Sequence, residues 1–272
     1  GSEMCIRDRR SFGLLFSFPF LAIRSFLVGI THTKALSWAA AIAVLINIPL
    51  NFYLIFTREL GISGAAIASS LAEMGSFMML SFYMWIRLDK EKYGLRPVYN
   101  GNLLIKVLKL STWSMLHAFI SVAPWFLFFV SIEHLGKIEL AISNITRSVS
   151  AIFFVIANSF ALTTGSLVSN AIGAGEGKAL FSICSKILKL GYAIGFPLVA
   201  IALLCNRWII GFYTSNELLI QLAFAPFVVM LLNYTFALPG YVYLNAVGGT
   251  GKTQMTFLFQ VTTTTIYLVY LY

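Results

Sequence analysis

The chain has 272 residues, of which 59% are hydrophobic and 11% are charged, and its mean hydropathy is +0.85. Because ordinary soluble chains carry about 25% charged residues, this composition excludes a soluble enzyme, a secreted disulfide scaffold and a disordered region, and it indicates an all-α, polytopic membrane protein. The net charge of +9 does not predict a nucleic-acid partner, because the basic residues are scattered singly between apolar runs.

Eight apolar runs are each long enough to form a helix that crosses the bilayer, which takes about 20 residues. In chain order they are 11–30, 35–57, 62–87, 103–132, 138–171, 187–205, 218–245 and 254–272. The first ten residues, GSEMCIRDRR, differ in composition from the rest and are interpreted as a non-native leader rather than a signal peptide.

Lysine and arginine are distributed unequally between alternate connections. Eleven lie in the connections after spans one, three, five and seven, and three lie in the others. The positive-inside rule therefore places the first set in the cytoplasm and both chain ends outside. The charged connection 88–102 is the predicted boundary between a three-helix remainder of an amino-terminal lobe, 11–87, and a five-helix carboxy-terminal lobe, 103–272. A chain that starts outside, with no preceding cytoplasmic segment, is unusual for a polytopic protein, so this chain is predicted to be a fragment whose upstream helices are missing.

A weak internal repeat supports two lobes. At a spacing of 220 residues the pairs are Phe16 and Phe236, Pro19 and Pro239, Gly29 and Gly249, Thr33 and Thr253, and Ile46 and Ile266. A proline inside a span, followed by a glycine and a threonine in the next turn, has a backbone role in each copy. The pattern indicates two parallel repeats of six spans.

The fourth span carries a face of aromatic and polar side chains at four-residue steps, formed by Trp113, His117, Ser121 and Trp125. Aromatic rings attract cations and shed water easily, so this face is predicted to line a cavity for lipophilic cations. The alternative is an interfacial belt for the tryptophans and a hydrogen-bonded interior histidine.

A comparable stripe on the fifth span predicts cavity residues at Asn144, Phe154 and Asn158. Arg147 lies too deep in the same span to remain unpaired without cost, so Glu133 or Glu139 is its predicted partner.

Further candidates lie on the third, first and seventh spans. Glu73 is near the middle of its span, where a carboxyl group either carries a proton, attracts a cation or is paired structurally beside a small-residue face of Gly61, Ala65 and Ser69. On the seventh span Asn233 and Tyr234 are cavity candidates. Pro239, like Pro19 on the first span, predicts either a mobile hinge or a fixed kink.

No remaining motif predicts a metal or cofactor. The three cysteines lack paired spacing, and GGTGKT at 248–253 lacks the first glycine of a phosphate-binding loop, which predicts a tight turn. The threonines at 262–265 are predicted to bond back to their own helix.

Five segments together resemble the multidrug and toxic compound extrusion family: NIPLN at 47–51, GISGAAIASSLAE at 61–73, LAISNITRS at 140–148, LVSNAIGAG at 167–175 and LNAVGGTGKT at 244–253. The resemblance implies a chain running from the fourth to the eleventh of twelve helices. This chain departs from the family pattern near Ser121 and Ala237, because some family members carry acidic residues there that couple export to sodium or protons.

The resemblance implies a sodium- or proton-coupled antiporter that exports amphipathic organic cations by alternating access. Substrate would lie between spans four, five and seven and the first-lobe helices, with the lobes rocking about 88–102. It further implies a monomeric, multi-pass protein of a bacterial inner or plasma membrane. The alternatives are a flippase for a lipid-linked saccharide, an intramembrane enzyme and a non-transporting scaffold.

Overall fold

A computed structural model describes residues 2–89, 91–94 and 99–271, with side chains from Leu14 onward. The described residues form helices joined by short turns, with no strand among them, which confirms the all-α prediction. The chain divides into two compact units, Gly1–Tyr99 and Asn100–Tyr272. The assignment of 88–102 as a cytoplasmic connection between lobes stays a prediction.

Within each unit, short connections join consecutive helices. The first unit contains α1 Ser2–Gly29, α2 Lys34–Phe52 with a π-helical turn Tyr53–Thr57, and α3 Gly61–Arg87. The second contains α4 Gly101–Leu135, α5 Lys137–Gly173, a 3₁₀ turn Gly177–Ala179, α6 Leu180–Leu204, the short α7 Asn206–Gly211, α8 Glu217–Gly249 and α9 Thr253–Leu271.

Eight long helices correspond to the eight predicted spans. Six of them, α2 with its π turn, α3, α4, α5, α6 with its 3₁₀ turn, and α8, are long and apolar enough to cross a membrane. The described apolar part of α1, Leu14–Gly29, is shorter, and α9 is not among the six. The helix α6 begins at Leu180, seven residues before the predicted span 187–205. Its first turns contain Lys186 and Lys189, and the helix continues through both charged residues.

In the first unit, α3 packs against both α1 and α2. Its buried stripe repeats every fourth residue and consists of Gly64, Ala68, Ala72, Ser76 and Leu80. On the predicted face, Gly61 is exposed, whereas Ala65 and Ser69 are half-buried. The sequence carries two adjacent rows of small residues, and the row containing Gly64 allows backbone contact, since a Cβ there would lie 2.9 Å from the Leu54 carbonyl carbon.

The core of the second unit lies between α5, α6 and α8. The buried residues of α8 recur at steps of four, with a single step of three: Ala223, Phe227, Leu231, Tyr234, Leu238 and Val242. Near the carboxyl ends of α5 and α8 the backbones touch. A Cβ on Gly249 would lie 2.5 Å from the Gly165 carbonyl oxygen, and the Ser169 hydroxyl donates to the Gly249 carbonyl at 2.7 Å.

The helix ends reproduce the repeat found in the sequence. α1 ends at Gly29 and α8 at Gly249, while the following helices begin at Lys34 and Thr253. Each intervening turn has a residue with positive φ at the same spacing, Thr31 at 61° and Gly251 at 80°. The predicted tight turn at 248–253 is confirmed. Gly251 has the left-handed backbone conformation of this turn, which glycine adopts with the smallest steric cost.

Candidate functional site

A cleft of about 490 Å³ opens between α8 and α9 in the second unit. Its walls are the side chains of Ala237, Gly240, Tyr241, Tyr243, Leu244, Val247, Phe259, Gln260 and Thr263. Three aromatic rings face a small set of polar groups, and none of the lining residues is charged. Such a mainly apolar concavity with a few polar groups is typical of a small-molecule site.

The cleft exists because α8 presents two different faces. Tyr234, Leu238 and Val242 point into the core, which leaves the adjacent row containing Ala237 and Tyr241 on the cleft side. Small side chains at Ala237 and Gly240 leave the space open.

On α9 the polar wall is held by local hydrogen bonds. The Gln260 amide donates to the Thr264 hydroxyl at 3.3 Å, and the Thr263 hydroxyl donates to the carbonyl oxygens of Phe259 and Gln260 at 3.0 Å. Thr262 and Thr265 bond back in the same way, which confirms that prediction for these three threonines.

Phe154, one of the predicted cavity residues, contacts the cleft residue Tyr241. Its ring meets that of Tyr241 edge-on, with centroids 5.6 Å apart and planes at 82°. The Asn245 amide donates to the Tyr241 carbonyl at 3.0 Å. The Tyr241 ring is thus held from α5, while the Asn245 bond engages only the Tyr241 main chain.

The predicted face of α4 is partly covered by α9 instead of lining the cleft. Trp113 packs on Phe257 with ring centroids 5.3 Å apart, and the Thr253 hydroxyl donates to the Leu110 carbonyl at 3.4 Å. His117 Nε2 is buried and has no hydrogen-bond partner among the described residues.

The carboxy-terminal part of that face is more open. The Ser121 hydroxyl bonds back to Ala118. Trp125 is 45% exposed and meets Phe128 edge-on. Neither residue lines the cleft.

Arg147 does not form the predicted ion pair. Its guanidinium lies over the Phe129 ring, 5.0 Å from the centroid, and within the described residues neither Glu133 nor Glu139 reaches salt-bridge distance of it. Glu139 turns back over the start of its own helix, beside Gly136. The positive end of the helix dipole favours a carboxylate there.

The remaining amide candidates stand apart from the cleft. Asn144 and Asn233 are exposed, and Asn158 is half-buried. Tyr234, also predicted to line a cavity, lies instead in the packed core at 3% exposure, with its hydroxyl donating to the Gly191 carbonyl at 3.0 Å. Gly195 on α6 makes room for the ring, so the helical face of Tyr234 turns inward.

In the first unit, Glu73 is half-buried and accepts a hydrogen bond from the Ser17 hydroxyl of α1. Pro19 lies inside α1 and Pro239 inside α8, and both helices continue beyond their prolines. The hinge role of either proline stays a prediction.

The sequence reasoning missed most of the cleft. The sequence pattern predicts no binding role for Phe259, Gln260 or Thr263, and at Ala237 it indicates only that an acidic residue is missing. One signal in the sequence is an amide inside an apolar helix, Gln260. The preceding helix contains Pro239, with Ala237 two residues before it and Gly240 directly after it.

Comparisons with known proteins bear on the same part of the chain. The MatE family model matches residues 114–272. The probable multidrug resistance protein NorM of Photorhabdus laumondii is 28% identical over 161 residues, covering 57% of this chain and 35% of that protein. Protein DETOXIFICATION 48 of Arabidopsis thaliana is 26% identical over 233 residues, covering 76% and 41%.

The fold is also similar to solved structures. A crystal structure of MATE in the bent conformation has a TM-score of 0.74 at 17% identity, covering 92% of this chain and 56% of that one. A crystal structure of MATE in complex with MaL6 has a TM-score of 0.69 at 18% identity, covering 82% and 51%. The chain spans less than half the length of the two curated relatives above.

Proposed function

This chain belongs to the MatE family, a family of transporters rather than enzymes, and we propose that the protein exports amphipathic organic cations from the cytoplasm by alternating access. It is a multi-pass membrane protein. The membrane we propose is the inner or plasma membrane of a bacterium, with the protein working as a monomer. Relatives named for multidrug resistance support export as the activity.

The observation that carries this proposal is the cleft between α8 and α9. Tyr241, Tyr243 and Phe259 line the cleft, and aromatic rings attract organic cations that are easily desolvated. A flippase for a lipid-linked saccharide would need cationic side chains for the pyrophosphate. The lining contains no lysine or arginine, so the cleft favours cation export.

We propose that a sodium or proton gradient drives export, as the resemblance implies. Ser121 and Ala237, at the positions where some family members carry acidic residues, are uncharged here. Coupling is therefore assigned to Glu73, a carboxyl group within α3 that is held by the Ser17 hydroxyl.

Ethidium efflux from cells lacking their own drug exporters tests the function, using the full-length protein that contains this sequence. Ala237→Trp fills the cleft and is expected to reduce the rate by at least about tenfold. Phe236→Trp is the matched control: the neighbouring side chain is 79% exposed, and its replacement should change the rate by less than about twofold.

Absence of ethidium efflux in the unsubstituted protein would refute the export proposal and favour the scaffold alternative. Equal rates for Ala237→Trp and the unsubstituted protein would instead show that the cleft is not the substrate site.

A further inference from the structure

Two tyrosines link α6 and α8 in a reciprocal manner. The Tyr192 hydroxyl of α6 donates to the Thr235 carbonyl of α8 at 2.7 Å. One residue away on each helix, the Tyr234 hydroxyl of α8 donates to the Gly191 carbonyl of α6 at 3.0 Å. We call these two hydrogen bonds the tyrosine clasp.

The Thr235 carbonyl is the one that Pro239 leaves without its helical donor. In an α-helix each carbonyl accepts from the N–H four residues later, and proline has no N–H. An unsatisfied carbonyl within a bilayer costs free energy, because no water is at hand to replace the missing donor. Tyr192 supplies that donor from the neighbouring helix.

The surrounding packing fixes both rings. A Cβ on Gly195 would lie 2.1 Å from the Tyr234 ring, so the ring occupies the space left by this glycine. Phe153 meets Tyr234 from α5 at 6.1 Å between centroids. The Tyr192 ring is stacked on Phe196, with centroids 4.9 Å apart and planes at 12°.

The cleft begins where the backbone hydrogen bonding of α8 is interrupted. Ala237 lies before Pro239, while Gly240, Tyr241 and the other α8 lining residues follow it. The direction of the helix after Pro239 therefore sets where the aromatic wall stands relative to α9.

We propose that Tyr192 is a positioning residue for the cleft: its hydroxyl satisfies the Thr235 carbonyl and thereby holds the part of α8 after Pro239, with its aromatic wall, in the orientation that binds the substrate. This inference rests on the proposed function, since it assumes that the cleft binds an organic cation.

A double-substitution cycle tests the proposal in the full-length protein. Tyr192→Phe keeps the ring and removes the hydroxyl, and it is expected to weaken ethidium binding by about three- to tenfold. Pro239→Ala restores an N–H that can donate to Thr235. In that background Tyr192→Phe should change the dissociation constant by less than about twofold.

Tyr234→Phe is the matched control. The Gly191 carbonyl also accepts the N–H of Gly195 within α6, so the effect of Tyr234→Phe should be the same with proline or alanine at 239. An effect of Tyr192→Phe that is equally independent of residue 239, or no effect at all, would overturn the proposal.

Two further readouts keep the outcome decisive. If Pro239→Ala does not fold, the hydrogen-exchange rate of the backbone amides of Gly240–Tyr243 is measured instead. Tyr192→Phe should raise this rate and Tyr234→Phe should not. Equal rates in the two variants would overturn the proposal. If the unsubstituted protein does not bind ethidium, the proposed function fails, and the same cycle measured as melting temperature still tests whether Tyr192 satisfies Thr235.

Discussion

At the scale of single residues, Glu73 is the charged group with the clearest functional expectation. Its carboxyl group lies in α3 and accepts a hydrogen bond from Ser17 of α1, so a change in its protonation or ion binding acts on a contact between two helices. Glu73→Gln keeps the shape and removes the charge. We expect gradient-driven ethidium export to fall by at least about tenfold, while ethidium binding stays within about twofold.

The matched control is Glu139→Gln, because Glu139 is exposed at the start of α5. Export from inverted vesicles under an imposed sodium or proton gradient gives the measurement. Equal loss in both variants, or full export by Glu73→Gln, would remove Glu73 from the coupling mechanism.

The residue scale is also where prediction from sequence is weakest. Hydropathy indicates that Tyr234 and Arg147 lie inside spans, but it does not say which neighbour each meets. Tyr234 faces α6 because Gly195 leaves room for its ring, and Arg147 meets Phe129 rather than a carboxylate. Both outcomes depend on the rotation of one helix about another, which side-chain packing decides.

At the scale of helices, more of the fold could be predicted. Every predicted span has a helix, because about 20 apolar residues must satisfy their own backbone in lipid. The helix faces were harder to assign. α3 has two neighbouring rows of small residues, and only tertiary contacts distinguish the row of Gly64 from that of Gly61. The cleft was missed for a similar reason, since its walls come from two helices whose contact the periodicity does not specify.

The contact between α5 and α8 gives a testable expectation at this scale. Gly249→Ala would place a methyl group 2.5 Å from the Gly165 carbonyl oxygen, so the helices must separate. We expect the free energy of unfolding in detergent to fall by about 1–3 kcal/mol. Gly173→Ala is the control, because a Cβ at this position has no atom within 4 Å. Unfolding by detergent titration should distinguish them, and equal stability would contradict the close approach.

At the scale of the whole molecule, the distribution of lysine and arginine predicts orientation. A variant without native cysteines should carry either Gly177→Cys, beyond the carboxyl end of α5, or Ser215→Cys, between α7 and α8. Both positions are exposed. With a membrane-impermeant maleimide, we expect residue 215 to react in intact cells and residue 177 only in inverted vesicles. The reverse pattern would overturn the assignment of cytoplasmic connections.

The composition of α9 has a consequence for biosynthesis. Its 19 residues include six threonines and two glutamines, a content that gives a nascent segment little tendency to leave the translocon for lipid unaided. α9 contacts α4 and α8, both of which are synthesised earlier. We therefore expect the membrane insertion of α9 to depend on contacts with α4 and α8, which have already left the ribosome when α9 emerges, so this wall of the cleft is completed only after its neighbours.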